Sequence, residues 1–193
     1  MATIGMDSLF YSKITEGVNG EESYAPPKIL AKAIKADLAI ELAEAGLYAD
    51  DALAHAIKLF KSGKLTLGVE DIGVAVASDL TGASVDDNGV LIAAGEDDGC
   101  LVAVGFRALK PDSRYRYFWL YRVKFAVPST NLQTKGDSIQ FQTPTVEGTI
   151  MRRNKVDGKG KHPWKAEVTE GDPGVAAVIA AWFTQVYEPA FAG

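Results

Sequence analysis

The sequence predicts a mainly β protein of the α+β kind, in which a helix packs on a sheet. Three observations predict this class: two long stretches with a hydrophobic period of two, short β-prone segments separated by turn residues, and one apolar stripe of helical period near the C-terminus. The 193 residues are 47% hydrophobic and 23% charged, a composition that suits one globular domain over residues 1–193. No linker, repeat or composition break divides the chain.

Residues 34–43 carry the clearest alternation in the first half of the chain. One row of side chains is apolar and the other is mostly charged, which is typical of a strand with one face on a core. The rows are Ile34, Ala36, Leu38, Ile40 and Leu42 on one side, and Lys35, Asp37, Ala39, Glu41 and Ala43 on the other. Burial of an unpaired charge costs several kcal/mol, so we expect Lys35, Asp37 and Glu41 to face water or a partner.

Residues 114–127 repeat the alternation with aromatic and β-branched side chains, which favours a strand strongly. One predicted face is Tyr115, Tyr117, Trp119, Tyr121, Val123, Phe125 and Val127. This face is either packed core or, in a monomeric β-barrel, the wall of a site for a small apolar ligand.

Further strands are predicted from short apolar segments that lie between turn sequences. The turns are 17–20, 86–89, 110–112 and 158–160, all rich in Gly, Asn, Asp or Pro. The predicted strands are 9–15, 64–69, 90–94, 101–109, 138–143, Thr145–Met151 and Lys165–Thr169.

Two helices are predicted between the strands. Asp71 is placed to cap a short helix over residues 71–80, with Gly82 after its end. The second helix spans residues 173–187 and packs on the sheet, because Pro173 suits its first turn and six apolar residues form one stripe. The stripe is Val175, Val178, Ile179, Trp182, Phe183 and Val186.

Residues 47–60 are ambiguous on propensity. Leu53, Ala56, Ile57 and Phe60 have helical spacing, and Gly63 follows them as a C-terminal signal. Propensity alone therefore predicts a helix over this segment.

The sequence offers no arrangement of residues for catalysis or for a cofactor. The acidic pairs and triplets at 86–87 and 96–98 lack the ligand spacing of a calcium loop, so we interpret them as solvated turns. His55 and His162 are far apart in sequence, and the one cysteine, Cys100, resembles a small buried hydrophobe. We expect no catalytic, cofactor-binding or metal-binding residues, no cofactor and no enzymatic activity.

Charge divides unevenly along the chain. Residues 1–100 carry 7 Lys/Arg against 17 Asp/Glu, a net charge of −10, and residues 101–193 carry 13 against 8, a net of +5. The split either neutralises itself within one fold or favours head-to-tail contacts between copies. The net charge of −5 makes sequence-specific DNA binding an unfavoured function.

A basic segment spans residues 152–165. We expect it to be a solvated hairpin loop, a phosphate contact or a docking patch between subunits. The residues of the expected inter-subunit patch are Arg152, Arg153, Lys155, Lys159 and Lys161.

Several stretches together resemble one protein family across nearly the whole chain. They are 4–15, 43–51, 68–73, Tyr115–Phe125, 134–139, 143–148 and 161–165. These stretches are similar to the major tail protein, or tail tube protein, of tailed bacteriophages with long non-contractile tails.

The resemblance implies a β-sandwich or barrel-like tail tube domain with an extended N-terminal arm and a C-terminal helix. Six copies would form a ring, and rings would stack into a tube through which the viral DNA passes without sequence-specific binding. The implied partners are other copies of the chain and the tape measure, tail tip and tail terminator proteins, with no membrane. The implied location is the tail of the virion, after assembly in the host cytoplasm.

The resemblance also bears on two open points. It favours an extended hairpin or a long loop around residues 44–64, which reaches a neighbouring ring, over the helix that propensity predicts. It places the polar row of Lys35, Asp37 and Glu41 either on the lumen of the tube or on its outer surface. A ring protein of a secretion or contractile injection apparatus, which shares the fold, is the nearest alternative function.

Overall fold

The computed structural model describes residues 3–18, 21–49, 52–129, 134 and 143–191. Strands far outnumber helices in this part of the chain, which confirms the prediction of a mainly β protein with two helices. None of the helices it contains is long and apolar enough to cross a membrane. The elements in order are β1 (Gly5–Glu16), β2 (Glu22–Tyr24), β3 (Lys28–Ile29), β4 (Ala33–Ala49), β5 (Ala52–Val69), α1 (Val74–Thr81), β6 (Ser84–Val85), β7 (Leu91–Ile92), β8 (Val102–Leu109), β9 (Tyr115–Phe125), β10 (Thr145–Met151), β11 (Lys165–Thr169) and α2 (Ala176–Ala180).

Nine of the strands form one antiparallel sheet with the order β2-β1-β8-β9-β10-β5-β4. β11 also pairs with β9, β3 also pairs with β1, and β6 and β7 form a separate two-stranded sheet. The described strands do not close into a barrel, since the order ends at β2 and β4. The predicted strand 138–143 lies outside the described residues apart from Thr143.

β9 lies at the centre of the sheet and contributes side chains to two cores. Tyr117, Trp119 and Tyr121 pack on one face against the segment that contains Trp182. Leu120 and, further along, Val123 and Phe125 belong to the core on the other face. The two cores therefore sit on opposite sides of one strand, because successive side chains of a strand point to opposite faces.

A β-bulge corrects the prediction that one face of β9 continues from Tyr115 to Val127. Val102 lies opposite Val123 and Val104 lies opposite Leu120, so one residue of β8 faces two residues of β9 between them. The extra residue reverses the alternation, and the side chains after the bulge enter the other core. Val127 lies beyond β9 and is exposed.

The C-terminal helix is shorter than the predicted 173–187, because α2 covers only Ala176–Ala180. Gly174 before it has a left-handed φ of 78°, and after it the backbone bonds span three residues, such as Thr184 N to Ala181 O at 3.1 Å. Trp182 and Phe183 are consecutive, yet both pack on Tyr117. A regular helix turns consecutive side chains about 100° apart, so this packing favours turns over helix.

The segment around 44–64 is neither a helix nor a loop among the described residues. β4 and β5 pair there as an antiparallel hairpin, from Ala33 opposite Val69 to Ala49 opposite Ala52. Pairing with a neighbouring strand satisfies the backbone of this segment, so the tertiary structure overrides its helical propensity. The segment thus has the extended hairpin conformation that the resemblance favoured, and its contact with a neighbouring ring stays a prediction.

The first helix, α1, begins three residues later than predicted. Gly73, and not Asp71, is its N-cap residue, while Gly82 ends it with a left-handed φ of 82° as predicted. Leu80 is the buried residue that attaches α1 to the core beside β5 and β8. The acidic turn at 86–87 lies between β6 and β7, the acidic turn at 96–98 follows β7, and both lie at the surface.

Candidate assembly surfaces

The outer part of the β4–β5 hairpin extends beyond the rest of the sheet. β10 pairs with β5 only between Gly63 and Gly68, so among the described residues the hairpin beyond that point has two strands. We call residues 42–49 and 52–60 the arm. A two-stranded ribbon is at best marginally stable alone in water, so the arm depends on contacts outside itself.

The arm exposes large apolar side chains on both faces. Leu42 is 47% exposed, Ile57 56% and Leu59 62%. Leu42 lies opposite Phe60 on one face, while Leu59 lies opposite Ala43 on the other. Exposed apolar groups on both faces of a ribbon make the arm a candidate contact surface.

One described contact holds the arm to the rest of the subunit, and another joins its two strands. The ring of Phe60 stacks on that of Trp164, with centroids 4.7 Å apart and planes 3° from parallel. Lys58 Nζ lies 2.9 Å from Glu44 Oε1 across the two strands. Both groups of that ion pair are well exposed, so the pair adds little stability.

β4 is an edge strand of the sheet that the described strands form. Among the described strands it pairs only with β5, which leaves the backbone groups of its other edge unpaired. Its inner row was predicted to enter the core, but Ile34, Leu38 and Ile40 remain partly exposed there. A long edge strand with an apolar row is a template on which another strand can pair.

The charged row of β4 lies on the sheet face opposite the core. Leu38 is directly opposite the buried Leu65, whereas Asp37 is opposite Thr66 and Glu41 is opposite Ser62. Directly opposite residues share a face, so the pairing carries this face across β5, β10 and the end of β9. We call it the polar face, and its residues are Lys35, Asp37, Glu41, Ser62, Lys64, Thr66, Lys124, Thr145, Glu147 and Thr149.

The structure thus brings Lys35, Asp37 and Glu41 together on one exposed face, and it adds partners that the sequence prediction missed. Lys64, Glu147 and Lys124 come from other strands. The alternation within 64–69 and Thr145–Met151 could have found the first two, because their charged residues also fall on the row opposite the buried residues.

Most charged side chains of the polar face form ion pairs. Lys35 Nζ lies 2.7 Å from Asp37 Oδ2, and Lys64 Nζ lies 2.8 Å from Glu147 Oε1. Glu41 accepts a hydrogen bond of 2.9 Å from the Ser62 hydroxyl, and Lys61, the extra residue at a bulge of β5, lies 3.8 Å from it. Lys124 pairs with Asp98, which reaches it from the loop before β8.

The predicted basic patch is not one exposed surface. Arg153 is only 1% exposed, donates a 2.8 Å hydrogen bond to Glu188 and lies 4.7 Å above the ring of Tyr121. Burial disfavours the charge of Arg153, but the hydrogen bond and the charge of Glu188 outweigh it, so the pKa of Arg153 is raised. Lys155 also pairs with Glu188, at 3.1 Å.

The other members of the patch lie on the surface. Lys159 Nζ is 4.5 Å from the ring centroid of Phe191, while Arg152 and Lys161 are exposed. The structure therefore assigns Arg153 and Lys155 to the packing of the C-terminal segment within the subunit.

A second buried charge cluster was not visible in the sequence. Glu22 is buried and pairs with Arg122, which also lies 2.7 Å from Glu16. The backbone N–H of Lys155 donates to Glu22 at 3.4 Å. This cluster joins the β1–β2 hairpin to β9 and to the loop after β10, residues that are remote in sequence.

The residues considered for chemistry have structural partners. Asp86 accepts backbone hydrogen bonds from Val90 and Asn88, and these lower its pKa. His162 Nδ1 lies 3.0 Å from the carbonyl oxygen of Arg153, and the side chain of His55 lies outside what the structure describes. Cys100 is partly buried beside the core, and no cluster of potential metal ligands occurs among the described residues.

A surface hollow of about 600 Å³ lies between α1, the loop that follows β7, and Pro144. It is not under the aromatic face of β9, because that face is filled by Trp182 and Phe183. The aromatic row is therefore packed core, and Trp182 and Phe183 occupy the space that a small ligand on this row would need.

Comparison with known proteins gives no family assignment. No family model matches the chain, and no curated protein matches it. Among solved structures, the chain is similar to a chain in the cryo-EM structure of the anti-feeding prophage (AFP) baseplate, 6-fold symmetrised. That likeness has a TM-score of 0.37 and 10% sequence identity over 87% of this chain and 97% of that chain.

Proposed function

We propose that the protein is a structural subunit that assembles with copies of itself into the tail tube of a bacteriophage with a long non-contractile tail. Six copies form a ring, the rings stack, and the viral DNA leaves through the lumen. The subunit has no enzymatic activity, works in the tail of the virion and is assembled in the host cytoplasm. The tape measure, tail tip and tail terminator proteins are its further partners.

The observation that carries this proposal is the β4–β5 hairpin. Its arm exposes apolar residues on two faces, and no described strand pairs with the outer edge of the 17-residue β4. A monomer gains nothing from this exposed surface, whereas a repeating assembly buries it at every copy. The surfaces of a hairpin and of the sheet that supports it are different, so contacts between them are head to tail and close into rings or continue as stacks.

The polar face suits the lumen of such a tube. It lies opposite the core, it is exposed, and its described residues carry no large apolar side chain. Lys35, Asp37 and Glu41 would then face the lumen rather than the outer surface. The open edges of the sheet would pair around the ring, which removes the edges from solvent.

The proposal is tested by changing the arm. We expect the unmodified protein at high concentration to form rings or tubes in negative-stain images. Ile57→Asp/Leu59→Asp should stay monomeric in sedimentation velocity, because each carboxylate would have to be buried in the contact between copies. The far-ultraviolet circular dichroism spectrum should be unchanged, because both side chains are exposed in the subunit.

The matched control is Val18→Asp, which adds a carboxylate at a fully exposed position in the β1–β2 turn and should assemble normally. A protein that stays monomeric at every concentration and salt, even with a tail-tip nucleus present, would overturn the proposed function. Assembly of the arm variant with the efficiency of the control would show that the arm is not a contact.

A further inference from the structure

We infer that the polar face is a charge-compensated wall, along which a polyanion such as DNA moves without being either held or repelled. The inference rests on the proposed function, because it takes this face to be the lumen. It differs from a wall of acidic rings, which Asp37 and Glu41 alone would suggest.

Each lysine of the polar face has a carboxylate within 4 Å. The pairs are Lys35 with Asp37, Lys61 with Glu41, Lys64 with Glu147 and Lys124 with Asp98. The polar face itself holds three lysines and three carboxylates. Lys61 at the bulge and Asp98 in the loop beside the face add one charge of each sign, so four positive charges meet four negative ones and the face has no net charge. The pairs are distributed over four strands and one loop, so the balance holds across the whole face and not at one point.

These pairs do little for the stability of the fold. The side chains of Lys35, Asp37, Lys64 and Glu147 are all more than half exposed. Ion pairs of this exposure contribute about 0–1 kcal/mol. Their main physical effect is therefore on the electric potential above the sheet.

Paired charges act on DNA very differently from unpaired ones. A lysine that binds a phosphate releases counterions from the DNA, and this release supplies most of the non-specific affinity. A lysine already paired with a carboxylate must lose that partner first. Conversely, a carboxylate beside a lysine has a field that falls off well within the Debye length of about 10 Å.

The ring makes the balance important, because every copy presents the same face to one channel. Any net charge per subunit would be multiplied by the number of copies and concentrated in a narrow space. A net charge of zero stays zero under that multiplication. Lys61 and Lys64 are not part of the charged row of β4. They belong to β5, and they neutralise the charges of Glu41 and Glu147.

The test removes the carboxylates and leaves the lysines. We compare tubes of the unmodified protein with tubes of Asp37→Asn/Glu41→Gln/Glu147→Gln, assembled with short double-stranded DNA and then treated with nuclease. The variant tubes should retain at least about 10-fold more protected DNA, and high salt should release it. The matched control, Glu21→Gln/Asp87→Asn/Glu96→Gln, changes the net charge equally at exposed acids elsewhere and should retain no more than the unmodified tubes.

Equal protection in the variant and control tubes would overturn the inference, as would salt-sensitive retention of DNA by unmodified tubes. Where tubes of the variant do not form, fluorescence anisotropy with the same DNA decides at the level of the subunit. The variant subunit should bind at least about 10-fold more tightly than the control, because its unpaired lysines are clustered, and equal affinities would refute the inference. Failure of the unmodified protein to form tubes is a different result, which contradicts the proposed function itself.

Discussion

Trp182 is the residue through which the C-terminal segment is attached to the sheet. Its indole N–H lies 3.4 Å from the Phe118 carbonyl oxygen, and its own carbonyl oxygen accepts a 3.0 Å hydrogen bond from the indole of Trp119. Its ring stacks on that of Tyr187, with centroids 5.4 Å apart. The side chain is only 2% exposed, so the packing around it is complete.

Trp182→Ala should therefore lower the free energy of unfolding by about 3–5 kcal/mol, through lost burial and the cavity that remains. Urea denaturation followed by circular dichroism measures the change. Phe191→Ala, which removes an aromatic ring from a largely exposed position, is the control and should cost far less. An unchanged unfolding midpoint for Trp182→Ala would show that this segment is not part of the core.

Asp79 is the residue from which we expect a distinct pH dependence. It lies in α1, accepts a 2.7 Å hydrogen bond from the Tyr11 hydroxyl and pairs with Lys13. Partial burial acts to raise its pKa, but the hydrogen bonds from Lys13 and Tyr11 prevail, and the pKa of Asp79 lies below its ordinary value. The same contact and burial raise the pKa of Tyr11.

A carboxylate with a lowered pKa in the folded state stabilises the fold above the unfolded pKa, about 4, and this stability is lost as the pH falls through the folded pKa. Asp79→Asn should be less stable than the unmodified protein at neutral pH, and the difference should shrink between about pH 5 and pH 2. Urea unfolding at a series of pH values measures it. Asp87→Asn, at an exposed turn, should follow the unmodified curve, and a pH-independent difference for Asp79→Asn would contradict the assignment.

At the scale of elements, the pairing of β8 with β9 depends on a glycine. Gly105 lies directly opposite Trp119, and a Cβ atom at position 105 would approach the indole ring to 2.8 Å. Gly105→Ala should destabilise the protein by about 1–3 kcal/mol through overpacking, as measured by thermal unfolding. Gly95→Ala, where a Cβ would contact nothing within 4 Å, should be nearly neutral, and equal effects of the two changes would exclude the steric cause.

The elements also show what the sequence could and could not predict. Alternation located β4 and β9, because half-buried strands impose a period of two on their side chains, and short apolar segments between turns located β1 and β8. It did not show the bulge at Tyr121, since one inserted residue changes the pairing without changing the local composition.

The C-terminal segment and the arm were predicted less well, because packing and strand pairing with residues remote in sequence determine their conformations. Of the stripe from Val175 to Val186, only Trp182 and Val186 are buried, while Val178, Ile179 and Phe183 are partly buried against the aromatic core. That core accepts Trp182 and Phe183 together, and this ends the helix early. In the candidate site, the alternation placed Lys35, Asp37 and Glu41 on an exposed face. Their partners Lys61, Lys64 and Glu147 follow from strand register, which no single stretch of sequence specifies.

At the scale of the assembled molecule, reversing the charge of the polar face should change the passage of DNA. Phage particles with Asp37→Lys/Glu41→Lys tails should eject their genome more slowly, because the added lysines are not neutralised and bind phosphates. Ejection is measured beside tube assembly, with Glu21→Lys/Asp87→Lys as a control for the same change in net charge. Well-formed tubes that eject DNA at the unmodified rate would refute the placement of this face on the lumen.

The central strand, β9, determines how the two cores unfold. β9 pairs with β8, β10 and β11 and supplies side chains to both cores, so neither core can separate while the other stays intact. The amide hydrogens of β9 should then exchange with solvent only when the entire subunit unfolds, at a rate set by the global stability. The two cores that share this strand behave as a single cooperative unit, so the body of the subunit, without the arm, enters or leaves an assembly as a whole rather than by partial unfolding.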